Sequence, residues 1–266
     1  MPTNVAIVGH SHSGCVLAAL AAGRPYWEAP EGLFVRGVNL AQLVPRLGLK
    51  PLDQTVIEPD GPPRVHPAVA AEVDRLFEPD APVRFVSMLG GNGHNIVGLL
   101  RHEIPFDFVL PDAPDLPLEA AAHVIPYGAM RTLLERRLQF ERSTLVAFRS
   151  RYPGPFMHLE SPPPPRDDEF VAASLDEFFK SRPLGDVVSA SLRYKLWRLH
   201  STIVRSFCHE LGIAFVSTPA EACDPYGFLD RRAYGNATHA NAWYGGLVLQ
   251  QIGALVMATQ DDRRVA

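Results

Sequence analysis

Cysteine is scarce: Cys15, Cys208 and Cys223 are the only three in 266 residues. Their odd number and wide separation argue against a disulfide framework and provide no metal-site spacing. A reducing, cytoplasmic setting is therefore expected. No run approaches ~18 uninterrupted apolar residues, so no membrane span is expected. The apolar N-terminus has no basic leader, and histidines and serines between Gly9 and Gly14 break it, unlike a signal peptide. The net charge of −4 shows no basic excess, so nucleic acid is not an expected partner. Neither G-x-G-x-x-G nor G-x-x-x-x-G-K-[ST] occurs, and no cofactor is expected.

What is present is the composition of a folded domain, 47% hydrophobic and 20% charged. A single domain over residues 1–266 is the default at this length. The most informative stretch is the first, Asn4-Val-Ala-Ile-Val-Gly-His-Ser-His-Ser-Gly14. Val5 to Val8 read as a buried strand, and Cys15 to Ala22 as a helix that Gly23 and Pro25 end. Ser11 thus stands at the carboxyl end of a strand, where open parallel sheets bind ligands and where a helix N-terminus favours a developing anion. The alternative reading of Ser11 or Ser13 is a helix cap.

Further along, a strand is expected around Leu33 to Gly37, with an irregular proline- and glycine-rich excursion from Pro45 to Pro67. Helical spacing covers Pro67 to Phe77, and Pro79 and Pro82 punctuate the way into a strand over Val83 to Leu89. That strand runs into Gly90-Gly-Asn-Gly-His-Asn95. Its glycines permit close backbone approach, and Asn92 brings an amide donor to the same sheet edge as Ser11; a plain turn would use the same residues. Ile104 to Pro126 is a second proline-rich excursion, placed to cover a site. Tyr127 to Gln139 reads as a helix, Ser143 to Phe148 as a buried strand, Val171 to Phe179 and Leu192 to Leu211 as helices, and Ile213 to Ser217 as the last core strand. The tetraproline Pro162 to Pro165 is rigid and extended. His239 precedes a final helix from Ala242 to Met257.

Three separated blocks, Gly9-His-Ser-His12, Gly90-Gly-Asn-Gly93 and Asn236-Ala-Thr-His239, resemble blocks I, III and V of the SGNH (GDSL-like) hydrolase family in order and spacing. The resemblance runs over nearly the whole chain. It implies, together with the strand–helix alternation, an α/β fold: a three-layer α/β/α sandwich with a mainly parallel sheet of about five strands, SGNH-hydrolase or flavodoxin-like. It further implies Ser11 as nucleophile, His239 as general base, and Asn92 and the Ser11 N–H as oxyanion donors, with Gly37 as the block II glycine. Two residues depart from the family pattern. His10 replaces the aspartate of block I, and Asn236 occupies the place of the triad acid, three residues before the base. Asn236 accepts a hydrogen bond without adding charge; a backbone carbonyl, Asp230 or Asp224 are the alternatives.

The implied activity is hydrolysis of small-molecule esters (esterase, lipase or carbohydrate O-deacetylase) through an acyl-enzyme on Ser11. The alternative is a non-catalytic binding protein that keeps the cleft without the triad acid. His10, His12, His94 and His239 approach one sheet edge, but no carboxylate or cysteine accompanies them at standard ligand spacing, and no metal is expected.

Overall fold

The computed structural model describes residues 3–58, 60–77 and 82–265, with side chains as far as residue 258. The expected punctuation at Pro79 lies outside the described residues. Strands β1 (Thr3–Gly9), β2 (Leu33–Asn39), β3 (Val83–Met88), β4 (Phe156–Leu159) and β5 (Ala214–Val216) form one five-stranded sheet. Its order is β2-β1-β3-β4-β5 and every pairing is parallel. Helices follow in the connections: α1 (Ser13–Ala22), α2 (Leu40–Arg46), α3 (Pro67–Asp74), α4 (Gly93–Gly98), α5 (Tyr127–Arg137) and α6 (Gln139–Arg151). After β4 come α7 (Asp168–Ala173), α8 (Glu177–Lys180) and α9 (Ala190–Glu210), and after β5 comes α10 (Ala242–Val265).

The first strand explains the three layers. All seven of its residues are buried, and the pleat sends alternate side chains to opposite faces. Ala6 and Val8 join a core built with α2, α3, α5, α6 and α9, whereas Val5 and Ile7 join a second core built with α1 and α10. A strand covered on both faces must be apolar throughout, and Val5 to Val8 meet that condition. The chain therefore adopts the expected α/β/α sandwich with a parallel sheet.

Three local expectations are corrected. Ser143 to Phe148 lies inside α6 rather than forming a strand; its buried residues Thr144, Leu145, Ala147 and Phe148 follow helical spacing, which a short apolar run does not distinguish from a buried strand. Residues 171–179 are split between α7 and α8, because Asp176 accepts from the Phe179 N–H and starts a new helix. The 45–67 excursion is partly regular: Pro45 ends within α2, and Thr55–Val56 pairs antiparallel with Arg64–Val65. In the 104–126 excursion, Phe106–Asp107 pairs with His123–Val124.

That second excursion is anchored to α9 by charge. Lys195 Nζ lies 2.6 Å from Asp107 Oδ1 with both side chains essentially inaccessible, and Asp107 Oδ2 accepts from the Glu119 N–H at 2.7 Å. Removing one member of a buried pair leaves an uncompensated charge. Lys195→Met is thus expected to lower unfolding stability by about 3–5 kcal/mol in urea titrations, and adding Asp107→Asn should recover part of it. A loss below about 1 kcal/mol would contradict this anchoring role.

Candidate functional site

The strand order reverses direction between β1 and β3, and such a switch point opens a crevice at the carboxyl edge. Gly9 lies level with Met88, and the ladder continues one residue further as the His10 N–H donates to the Met88 carbonyl at 3.1 Å. The turns carrying Ser11 and Gly90–Asn92 therefore leave the sheet side by side. In the Ser11 turn, the Ser13 and Gly14 N–H groups donate to the carbonyls of His10 and Ser11. Ser13 Oγ also donates to the His10 carbonyl, at 2.7 Å. Neither serine side chain caps α1. Ser11 is partly exposed, and its N–H has no hydrogen-bond partner among the described residues.

The second turn meets the first through glycine. A Cβ on Gly91 would fall 2.5 Å from the His12 ring, so only glycine admits this approach. Asn92 Oδ1 accepts from Asn95 Nδ2 at 2.7 Å. Its oxygen is thereby engaged, and its amide hydrogens are left as donors.

His239 completes the cluster. Its ring stands 4.7 Å from the His12 ring, centroid to centroid. Asn236 Oδ1 accepts from the N–H groups of Thr238 and His239 at 3.0 and 2.9 Å, and it lies 3.1 Å from His239 Nδ1. Because an amide oxygen only accepts, this contact places the proton on Nδ1 and leaves Nε2 with a free lone pair. Thr238 Oγ1 is also 2.9 Å from Nδ1. Burial lowers the pKa of His239, against the opposing field of Asp176. The buried Nε2 has no hydrogen-bond partner, so no hydrogen bond joins the implied nucleophile Ser11 to the implied base His239 in this structure.

Other candidates fall elsewhere. Gly37 lies within β2 level with Ile7, while Asn39 is the residue level with Gly9. A Cβ at Gly37 would meet Leu17 at 2.6 Å and the Ile7 carbonyl at 2.9 Å. Its glycine thus serves sheet–helix packing and does not reach the carboxyl edge. Asp230 is held by Arg232, and Asp224 accepts from the N–H groups of Tyr226 and Phe228. Neither carboxylate bonds to His239 Nδ1. The acid whose field reaches His239 is Asp176, which the sequence did not single out.

Gln54 and His200 were also missed. The Gln54 amide nitrogen, Nε2, reaches from the hairpin segment to within 2.6 Å of His10 Nε2, while the Gly90 N–H donates to His10 Nδ1 at 3.2 Å. Since Nδ1 accepts, neutral His10 carries its proton on Nε2, and the Gln54 contact is a hydrogen bond only with that amide turned to present its oxygen in place of Nε2. From α9, His200 Nε2 stands 2.9 Å from the Gly90 carbonyl and donates to it. A polar residue among Leu196, Leu199, Ile203 and Phe207 on an apolar helix face was the available signal. Pro162 to Pro165 wall a small cavity with His94, Asn95, Thr238 and His239. Among the described residues, no three His, Cys, Asp or Glu side chains form a metal-holding group.

No protein-family model matches the chain, and no curated protein matches it in sequence. Among solved structures it is similar to a GDSL-like lipase from Bacteroides thetaiotaomicron, with 10% identity over 98% of this chain and 88% of the other (TM-score 0.42). It is also similar to a carbohydrate acetylesterase family member from Sinorhizobium meliloti, with 13% identity over 96% and 97% (TM-score 0.42). A third likeness is to the periplasmic domain of a lipopolysaccharide acetyltransferase from Salmonella ser. Paratyphi A, with 12% identity over 97% and 84% (TM-score 0.45). Among the described residues, no helix is long and apolar enough to cross a membrane.

The site is built from neutral imidazoles. Burial is the main cause in each case: it lowers His10 and His200 to about 4, His12 and His158 to about 3, and His94 well below its ordinary value. Between pH 6.5 and 4 the unfolded chain takes up protons that the folded chain refuses, so stability falls as pH falls through that window. Each such imidazole contributes at most about 1.4 kcal/mol per pH unit. The urea midpoint is accordingly expected to drop steeply from pH 7 to pH 5 with little change in slope. A flat midpoint across that range would show that these rings titrate normally.

Proposed function

We propose that the chain is a serine ester hydrolase of the SGNH type, a single domain over residues 1–266 acting on small-molecule esters. The observation that carries this reading is at His239. Asn236 occupies its Nδ1, its Nε2 lone pair is unengaged, and its ring rests against the residue following Ser11. A serine hydroxyl becomes an effective nucleophile when a neighbouring base removes its proton, and catalytic hydrogen bonds commonly tighten only when substrate is bound.

In this mechanism Ser11 Oγ attacks the ester carbonyl as His239 Nε2 takes its proton. The Ser11 N–H and the Asn92 amide hydrogens donate to the tetrahedral oxyanion; such donors each contribute about 3–4 kcal/mol in comparable sites. Collapse expels the alcohol, which receives the proton from His239. Water then repeats the sequence on the acyl-enzyme and releases the acid. Asn236 fixes the tautomer of His239, although a neutral amide stabilises the imidazolium less than a carboxylate would.

Hydrolysis of 4-nitrophenyl acetate tests the reading. The protein should turn it over, and Ser11→Ala should reduce kcat by at least ~10³-fold. Asn236→Asp is expected to raise kcat about tenfold, equivalent to ~1.4 kcal/mol, with KM little changed, because the added charge acts on the imidazolium of the transition state. Absence of hydrolysis by both the protein and Asn236→Asp would overturn the enzyme and favour a binding protein that retains the cleft.

A further inference from the structure

Gly90 is held from two sides by imidazoles that the proposed chemistry does not use. Its N–H donates to His10 Nδ1 at 3.2 Å, and its carbonyl accepts from His200 Nε2 at 2.9 Å. These groups belong to the two peptide units on either side of the Gly90 Cα, so together they fix both of its dihedrals. The residue has φ +72°, and an added Cβ would lie 2.4 Å from Glu141 Cγ, which leaves glycine as the residue that fits. Of the two imidazoles, one comes from the nucleophile turn and the other from α9 across the core.

From this we infer that His10 and His200 form a two-sided clamp on Gly90 that positions the donors of the oxyanion site, an inference that rests on the hydrolase reading above. Because a trans peptide directs N–H opposite to C=O, seating the Gly90 carbonyl on His200 turns the Gly91 N–H away from α9. Asn92 follows one residue later, so its amide inherits the same constraint. The Gly91 N–H has no partner among the described residues, which makes it a further donor within the same loop. Gln54 stands at the far side of the His10 ring, with its amide 2.6 Å from Nε2. His10 thus acts as a hydrogen-bond acceptor toward the neighbouring loop. Both histidines are positioning residues.

Paired amide substitutions separate this role from general polarity in the core. An asparagine oxygen falls near the position of His Nδ1, and a glutamine NH2 near that of His Nε2. His10→Asn and His200→Gln keep the polar atom where Gly90 needs it, whereas His10→Gln and His200→Asn displace it. On 4-nitrophenyl acetate, the displaced member of each pair should be about tenfold or more lower in kcat than the retained member, with KM within about threefold, a fraction of the 10²–10³ that loss of a whole oxyanion donor costs. Hydrogen exchange at the Gly90 amide should be faster in His10→Gln than in His10→Asn. If the two members of each pair agree in kcat and in Gly90 exchange, the clamp is wrong. If the unaltered protein hydrolyses no ester, the hydrolase reading fails, and the exchange comparison still decides the clamp.

Discussion

The parallel register between β1 and β3 is the constraint from which the site follows. It places Gly9 beside Met88 and extends through the His10 N–H to the Met88 carbonyl. At this switch of strand order, two turns from distant parts of the chain emerge at one level with no strand between them. A one-residue slip would exchange the faces of β3, moving Phe85 away from its stack on Tyr152 and its tilted contact with Phe148. Apolar packing on both sheet faces therefore determines where the Ser11 and Asn92 turns meet.

Around that meeting point, histidine supplies polarity without charge. Burial keeps His10, His12, His94, His158 and His200 neutral near pH 7, and a neutral imidazole both donates and accepts. His10 accepts from a backbone N–H, His200 donates to a backbone carbonyl, and His158 Nδ1 lies 2.8 Å from Ser87 Oγ. The arrangement orders loops without the desolvation cost of buried ions. At His239 itself no carboxylate is hydrogen-bonded: Asn236 meets the ring with a dipole, and Asp176 contributes only through its field.

Four of the five strands, β1, β2, β3 and β5, were legible in the sequence as short, mostly apolar runs ending in glycine or polar turns, and Val5 to Val8 carries the pattern of a strand buried on both faces; β4 was not singled out. The long apolar face of α9 was equally plain. Ser143 to Phe148 was misread because six residues cannot separate a buried strand from the inward face of a helix. For the site, the residue types at 11, 92, 236 and 239 were readable from their blocks. Their partners were not: Gln54 reaches His10 across 44 positions, and His200 reaches Gly90 across 110. Such pairings depend on how excursions fold back over the sheet, which no local period encodes. Gly37 misled for the converse reason, since glycine demanded by close packing against Leu17 looks in sequence like glycine demanded by a ligand.

The proposed function rests on activation of Ser11 by His239 at this edge. Peptide mass spectrometry after treatment with a fluorophosphonate tests it most directly, since the reagent bonds covalently to an activated serine and records which one. A single adduct is expected on the peptide containing Ser11, lost in His239→Ala while Ser13 stays unmodified. An adduct on another serine, or labelling of Ser11 that is undiminished in His239→Ala, would contradict it.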